Sequence, residues 1–150
     1  MGKTQRKKVT EEQAFENPAS DFYVVGIGAS AGGLDAIQRF FDYIPANTNM
    51  AFCVIQHLSP NFKSLMNELL RRHSQIQIKV AEDGEILKPN HIYLNNKDSN
   101  LIVQDGKLTY VPKSDKSILN FPIDLFFHSL ANEYLNMSIG VILSGTGTDG

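Results

Sequence analysis

Two continuous apolar runs constrain the fold more than any other feature of this sequence. Phe22-Tyr23-Val24-Val25-Gly26-Ile27-Gly28 and Ala51-Phe52-Cys53-Val54-Ile55 leave no polar face. A strand of that kind has to be covered on both sides, which is the condition of a parallel sheet with crossover helices. Between the two runs, Leu34, Ile37, Phe40, Phe41 and Ile44 recur at helical spacing, and Pro45 follows them. The pattern predicts strand, helix, strand.

The alternation continues. Ser59-Pro60 reads as the cap and first turn of a second helix carrying Phe62, Leu65, Met66, Leu69 and Leu70. A third strand is expected over Gln77–Ala81 and another over His91–Leu94. Leu101-Ile102-Val103 and Leu108–Val111 flank Asp105-Gly106, the signature of a hairpin turn. Asn120 is the expected N-cap of a helix that has Pro122 and Asp124 in its first turn and ends near Tyr134. A final strand is expected over Ser138–Ser144, near the middle of the complete domain's sheet, with the cut at Gly150 expected to remove part of its cover. The sum is an α/β fold: a doubly wound, mostly parallel, Rossmann-like sheet with a β-hairpin insertion. Residues 1–21 are polar and aperiodic and read as a disordered leader, with the folded domain over 22–150.

Composition removes several classes of function. A net charge of −2 gives no drive toward nucleic acid or an anionic membrane. The basic cluster Lys3, Arg6, Lys7 and Lys8 is offset by Glu11, Glu12, Glu16 and Asp21. No stretch approaches the ~20 apolar residues of a membrane span, and no apolar segment follows the basic cluster, so the expected location is the cytoplasm. Cys53 is the only cysteine and lies in an apolar run, where packing is its expected role. No cysteine motif or pair of histidines has ligand spacing, so no metal is expected. Glu82, Asp83 and Glu85 read as a solvated acidic turn, and His73 as a cation at a helix end.

In a parallel sheet the chemistry collects at the carboxyl ends of the strands. Three such ends are unusual: Gly28-Ala29-Ser30-Ala31-Gly32, Gln56-His57, and Ser144 to Gly150 with Asp149. The first fits the G-x-S-x-G pattern of a nucleophile on a tight strand-to-helix turn. Brought to one edge, Ser30, His57 and Asp149 supply nucleophile, base and orienting acid. Gly145 and Gly147 permit a backbone N–H to point into the site, as an oxyanion hole requires. Each residue also has a plainer reading: Asp149 as a helix cap, His57 as a hydrogen-bonded structural histidine, the glycine-rich turn as a phosphate or dinucleotide loop. The dinucleotide reading expects an acidic residue at the end of the second strand, where this chain has Gln56-His57.

At these residues, and at Pro89-Asn90-His91-Ile92-Tyr93 and Pro122-Ile123-Asp124-Leu125-Phe126, the sequence resembles the catalytic domain of chemotaxis-type protein-glutamate methylesterases, the CheB family. The resemblance implies hydrolysis of glutamate γ-methyl esters on the cytoplasmic helices of chemoreceptors, with deamidation of selected glutamines in related members and no metal or organic cofactor. It puts the catalytic triad on Ser30, His57 and Asp149. The oxyanion hole and substrate pocket fall on Thr146, Gly147, Ala31 and Gly32. Thr146 stands where the family commonly has Met, and the role there is a backbone N–H. The family domain continues past its last motif, so the resemblance implies a chain truncated at its C-terminus. Leading domains of methylesterase–methyltransferase fusions are especially similar, which makes a methyltransferase domain in the same longer chain an expected partner. Twenty polar residues cannot form the family's receiver domain, so control by phosphorylation of an attached receiver is not expected. The competing readings are a non-catalytic sensory or scaffold module that keeps the fold, and a nucleotide-binding domain.

Overall fold

A computed structural model describes residues 21–30, 32–57, 66–113, 120–144 and 149–150. The leader expected over 1–21 therefore lies almost wholly outside the described residues, as does the start of the second predicted helix with Ser59 and Pro60.

The strands are β1 (Tyr23–Ala29), β2 (Met50–Gln56), β3 (Gln77–Val80), β4 (Glu85–Ile86), β5 (His91–Leu94), β6 (Ser99–Gln104), β7 (Lys107–Pro112) and β8 (Ser138–Ser144). The helices are α1 (Leu34–Asp42), α2 (Met66–Leu70) and α3 (Pro122–Tyr134), with a 3-10 turn at Leu135–Met137. Strands β3-β5-β2-β1-β8 form one five-stranded sheet in that order, and every pairing in it is parallel. Strands β4-β7-β6 form a separate antiparallel sheet.

The apolar runs behave as their composition requires. Every residue from Val24 to Ala29, and from Ala51 to Ile55, is buried. Alternate side chains enter two cores. On one face Val25, Ile27, Phe52 and Val54 pack with Ile37 and Phe41 of α1 and with Met66 and Leu70 of α2. On the other, Val24, Ala51, Cys53 and Ile55 pack with Ile123, Phe126 and Leu130 of α3 and with the small sheet. Each fully buried aliphatic or aromatic side chain contributes about 1.5–3 kcal/mol. Cys53 is fully buried, and that burial pushes its thiol pKa far up, consistent with packing rather than nucleophilic chemistry.

The predicted hairpin forms with Gln104 opposite Lys107. Asp105 and Gly106 have φ of 52° and 72°, the paired positive values of a type I′ turn. Helix α3 holds this hairpin down: Ser129 Oγ accepts from the Val103 N–H at 2.9 Å and Glu133 Oε2 from the Gly106 N–H at 3.1 Å.

Two expectations need correction. Glu85 is not in a solvated turn; it belongs to β4 and pairs with Lys79 at 2.7 Å, while Glu82 and Asp83 are exposed. Burial pushes the Glu85 carboxyl up, but Lys79 and the Glu82 N–H outweigh it and leave it below the ordinary 4.5. The stabilisation from this pair is accordingly present above that value and lost as pH falls through the depressed one. Asn120 does not cap α3: Phe121 stands at the cap without a side-chain bond, and Asn120 Oδ1 accepts instead from Asn100 Nδ2 at 2.8 Å. Among the described residues strand β8 pairs with β1, and its Ile139 and Ile142 are exposed.

The glycines of β1 serve close packing. A Cβ on Gly28 would meet Ile123 Cγ2 at 2.5 Å and Ile142 Cδ1 at 2.8 Å, and one on Gly26 would meet Phe127 Cε1 at 3.0 Å. Side chains of α3 occupy the space above both glycines. Gly28→Ala is therefore expected to cost about 1–3 kcal/mol through overpacking. Thermal melts should register that as a loss of roughly 2–12 °C; a melt equal to wild type would contradict the packing described.

Candidate active site

Register determines what meets at the carboxyl edge. Ala29 of β1 pairs with Gln56 of β2, so Ser30 and His57 leave adjacent strands side by side. Ala29 also pairs with Ser144 of β8, which brings the third strand end to the same place. The β1–β8 register shifts between Gly28 and Ala29, since Gly28 pairs with Ile142 and Ala29 with Ser144. Such irregularities re-aim a strand end.

Ser30 sits on a tight turn. Its carbonyl accepts from the Gly33 N–H at 2.9 Å, and Gly32 adopts φ of 88°, a conformation glycine takes without strain. Helix α1 begins directly afterwards with Leu34. Within G-x-S-x-G the two glycines thus have different tasks: Gly32 makes the turn, and Gly28 admits α3.

His57 and Asp149 are in contact. Nε2 of His57 lies 2.7 Å from Oδ2 of Asp149, with the histidine side chain 38% exposed and the carboxylate 6% exposed. The acid therefore occupies Nε2 and leaves Nδ1 as the ring nitrogen open to another partner. The Asp149 carboxylate is itself held by α3. Oδ2 accepts from the Ile123 N–H at 3.0 Å and Oδ1 from the Asp124 N–H at 2.7 Å. With Phe121 as the cap residue, these are the N–H groups that a cap side chain normally satisfies. Asp149 supplies that cap from another part of the chain, so one carboxylate both caps α3 and holds the histidine. The tie is reciprocal: Asp124 Oδ1 accepts from the Gly150 N–H at 2.8 Å.

Of the four residues expected to form the oxyanion hole and pocket, Gly32 is placed beside Ser30, while Ala31, Thr146 and Gly147 lie outside the described residues. The remaining histidines are elsewhere. His73 bonds Asp42 at 2.8 Å, His91 bonds the Pro89 carbonyl at 2.9 Å, and His128 is on the exposed face of α3. Among the described residues no group of three His, Cys, Asp or Glu side chains is arranged to hold a metal ion. A dinucleotide loop fits poorly, because Ile123 of α3 covers Gly28, the second glycine of that pattern, where the backbone would have to approach a pyrophosphate. Sequence patterns missed Asn95, which follows β5 and holds the end of β2. A polar residue after an apolar strand carries no local signal of that role.

The arrangement supports acyl transfer: a serine on a tight strand-to-helix turn, a histidine one register away, and a buried carboxylate fixing that histidine. Comparisons with known proteins agree in kind. The profile of the CheB methylesterase family matches residues 25–150. A protein-glutamate methylesterase/protein-glutamine glutaminase of Pseudomonas aeruginosa is 34% identical over 85% of this chain, and one of Treponema denticola is 30% identical over 93% of it. The chain spans 38% and 40% of the length of these two relatives. The crystal structure of the Thermotoga maritima CheB methylesterase catalytic domain superimposes with a TM-score of 0.76 at 33% identity, covering 87% of this chain and 71% of that one.

The double role of Asp149 has a consequence for mutation. In Asp149→Asn the amide must turn its NH2 toward an N–H donor whichever way it is rotated. One buried donor is left unsatisfied, at a cost of about 1–3 kcal/mol. Asp149→Asn should therefore melt several degrees below wild type. An unchanged melt would mean that Asp149 does not cap α3.

Proposed function

Because the chain belongs to the CheB methylesterase family, we propose that it hydrolyses glutamate γ-methyl esters on the cytoplasmic helices of methylated chemoreceptors. The observation that carries this reading is the His57–Asp149 pair, 2.7 Å apart and one strand register from Ser30.

In this mechanism Ser30 Oγ attacks the ester carbonyl while Nδ1 of His57 takes the hydroxyl proton. The role of stabilising the tetrahedral oxyanion is assigned to backbone N–H groups of Ala31, Gly32, Thr146 and Gly147. Collapse expels methoxide, which receives the proton from His57 and leaves as methanol. Water, deprotonated by the same histidine, attacks the acyl-enzyme; collapse breaks the bond to Ser30 Oγ, which takes the proton back from His57, and the glutamate is freed. Asp149 stays ionised, holds the ring in one orientation and stabilises the imidazolium. None of these steps calls on a metal or organic cofactor. The same site would deamidate glutamine by expelling ammonia in place of methanol, in keeping with the double name of the relatives.

The setting we infer is the cytoplasm, in adaptation of a chemotaxis or related sensory pathway. Among the described residues no helix is long and apolar enough to cross a membrane. The curated relatives are longer, and a methyltransferase domain in the same polypeptide is the proposed partner for this one.

Methanol release from a methylated receptor by the intact protein tests the reading. Ser30→Ala should reduce it by about 10³-fold or more, because the triad acts as a unit. Release at near wild-type rate from the variant, or none from the wild type, would overturn the assignment; the second result is what a non-catalytic module of this fold gives.

A further inference from the structure

Strands β2 and β5 pair only as far as Val54 and Leu94. Beyond that point a side chain continues the ladder. The Asn95 backbone N–H donates to the Val54 carbonyl at 3.3 Å. Its side-chain Oδ1 then accepts from the Gln56 N–H at 3.0 Å, and its Nδ2 donates to the Gln56 carbonyl at 2.9 Å. A primary amide carries the same donor and acceptor as a peptide group, so Asn95 stands in for the strand residue that β5 lacks. Asn95 is 8% exposed, and the bonds it makes are not readily replaced by water.

The carbonyl held by Nδ2 belongs to the peptide that joins Gln56 to His57. We propose that Asn95 is a positioning residue for His57: it fixes the peptide from which the histidine departs, and so the direction in which the imidazole reaches Asp149. The ring is then located by two tethers, Asn95 behind its backbone and Asp149 at Nε2. Asn95 lies 39 residues from Gln56 in sequence and touches no reacting atom in the mechanism above. The proposal rests on the esterase reading only for its effect on rate. A displacement of about 1 Å in a catalytic group can cost ~10²-fold in rate.

The test uses the intact protein with Asn95→Ala and, in case that variant does not fold, the equal-sized Asn95→Asp, which keeps the acceptor for Gln56 and loses the donor. Two quantities are read well below the melting temperature. One is the low-field proton resonance of the His57–Asp149 hydrogen bond, recorded without substrate. The other is kcat and KM for receptor demethylation. The resonance should broaden or shift, and kcat should fall about 10–100-fold with KM within about twofold. A folded variant with the wild-type resonance and wild-type kcat overturns the proposal, even if its melt is lower, because the residue would then be structural only. Since the resonance needs no turnover, it decides the role of Asn95 independently of whether the wild type hydrolyses the ester.

Discussion

Helix α3 begins without a cap of its own, and the consequences reach through the whole site. Phe121 offers no acceptor, so the N–H groups of Ile123 and Asp124 depend on the Asp149 carboxylate. A carboxylate is well suited to that place, since the N-terminus of a helix carries partial positive charge. Once bound there, its direction is set and its remaining capacity faces His57. The helix supplies the buried acid with partners; the acid supplies the histidine with an orientation.

That arrangement works only if α3 lies close to the sheet, and Gly26 and Gly28 make this possible. Ile123, whose N–H holds Asp149, is also the residue whose side chain fills the space above Gly28. A larger residue in β1 would lift the start of α3 and move the cap with it. Packing on one strand, capping of one helix and orientation of one histidine are therefore linked by contacts between four distant segments. From the opposite side, α1 buries Ile37 and Phe41 against β1 and β2, with Phe41 edge-to-face on Phe52 at 5.4 Å. The strands that present Ser30 and His57 are thereby fixed from both faces.

Much of this was legible in the sequence, for identifiable reasons. Runs such as Val24–Gly28 and Ala51–Ile55 have no polar face, and their alternation with helical segments points to a parallel sheet. Asp105-Gly106 specifies its turn chemically. The gathering of Ser30, His57 and Asp149 follows from strand direction. What escaped was decided by partners far away in the chain. Asn120 has the right chemistry for a cap, but Asn100 claims it and Asp149 takes its place. Glu85 looks like one of three acidic turn residues until Lys79 and β7 draw it into a strand. Asn95 reads as loop because the bonds that define it are made to a peptide 39 residues away.

The central claim is that Ser30 is activated by a histidine whose Nε2 is held by a helix-capping carboxylate. A crystal structure of the intact protein after reaction with a serine-directed phosphonate tests it most directly. The account predicts phosphorus bonded to Ser30 Oγ, His57 Nδ1 directed at the adduct, and the Nε2–Asp149 contact retained near 2.7 Å. Phosphorus on another residue, or a His57 ring turned away from Asp149, would contradict it.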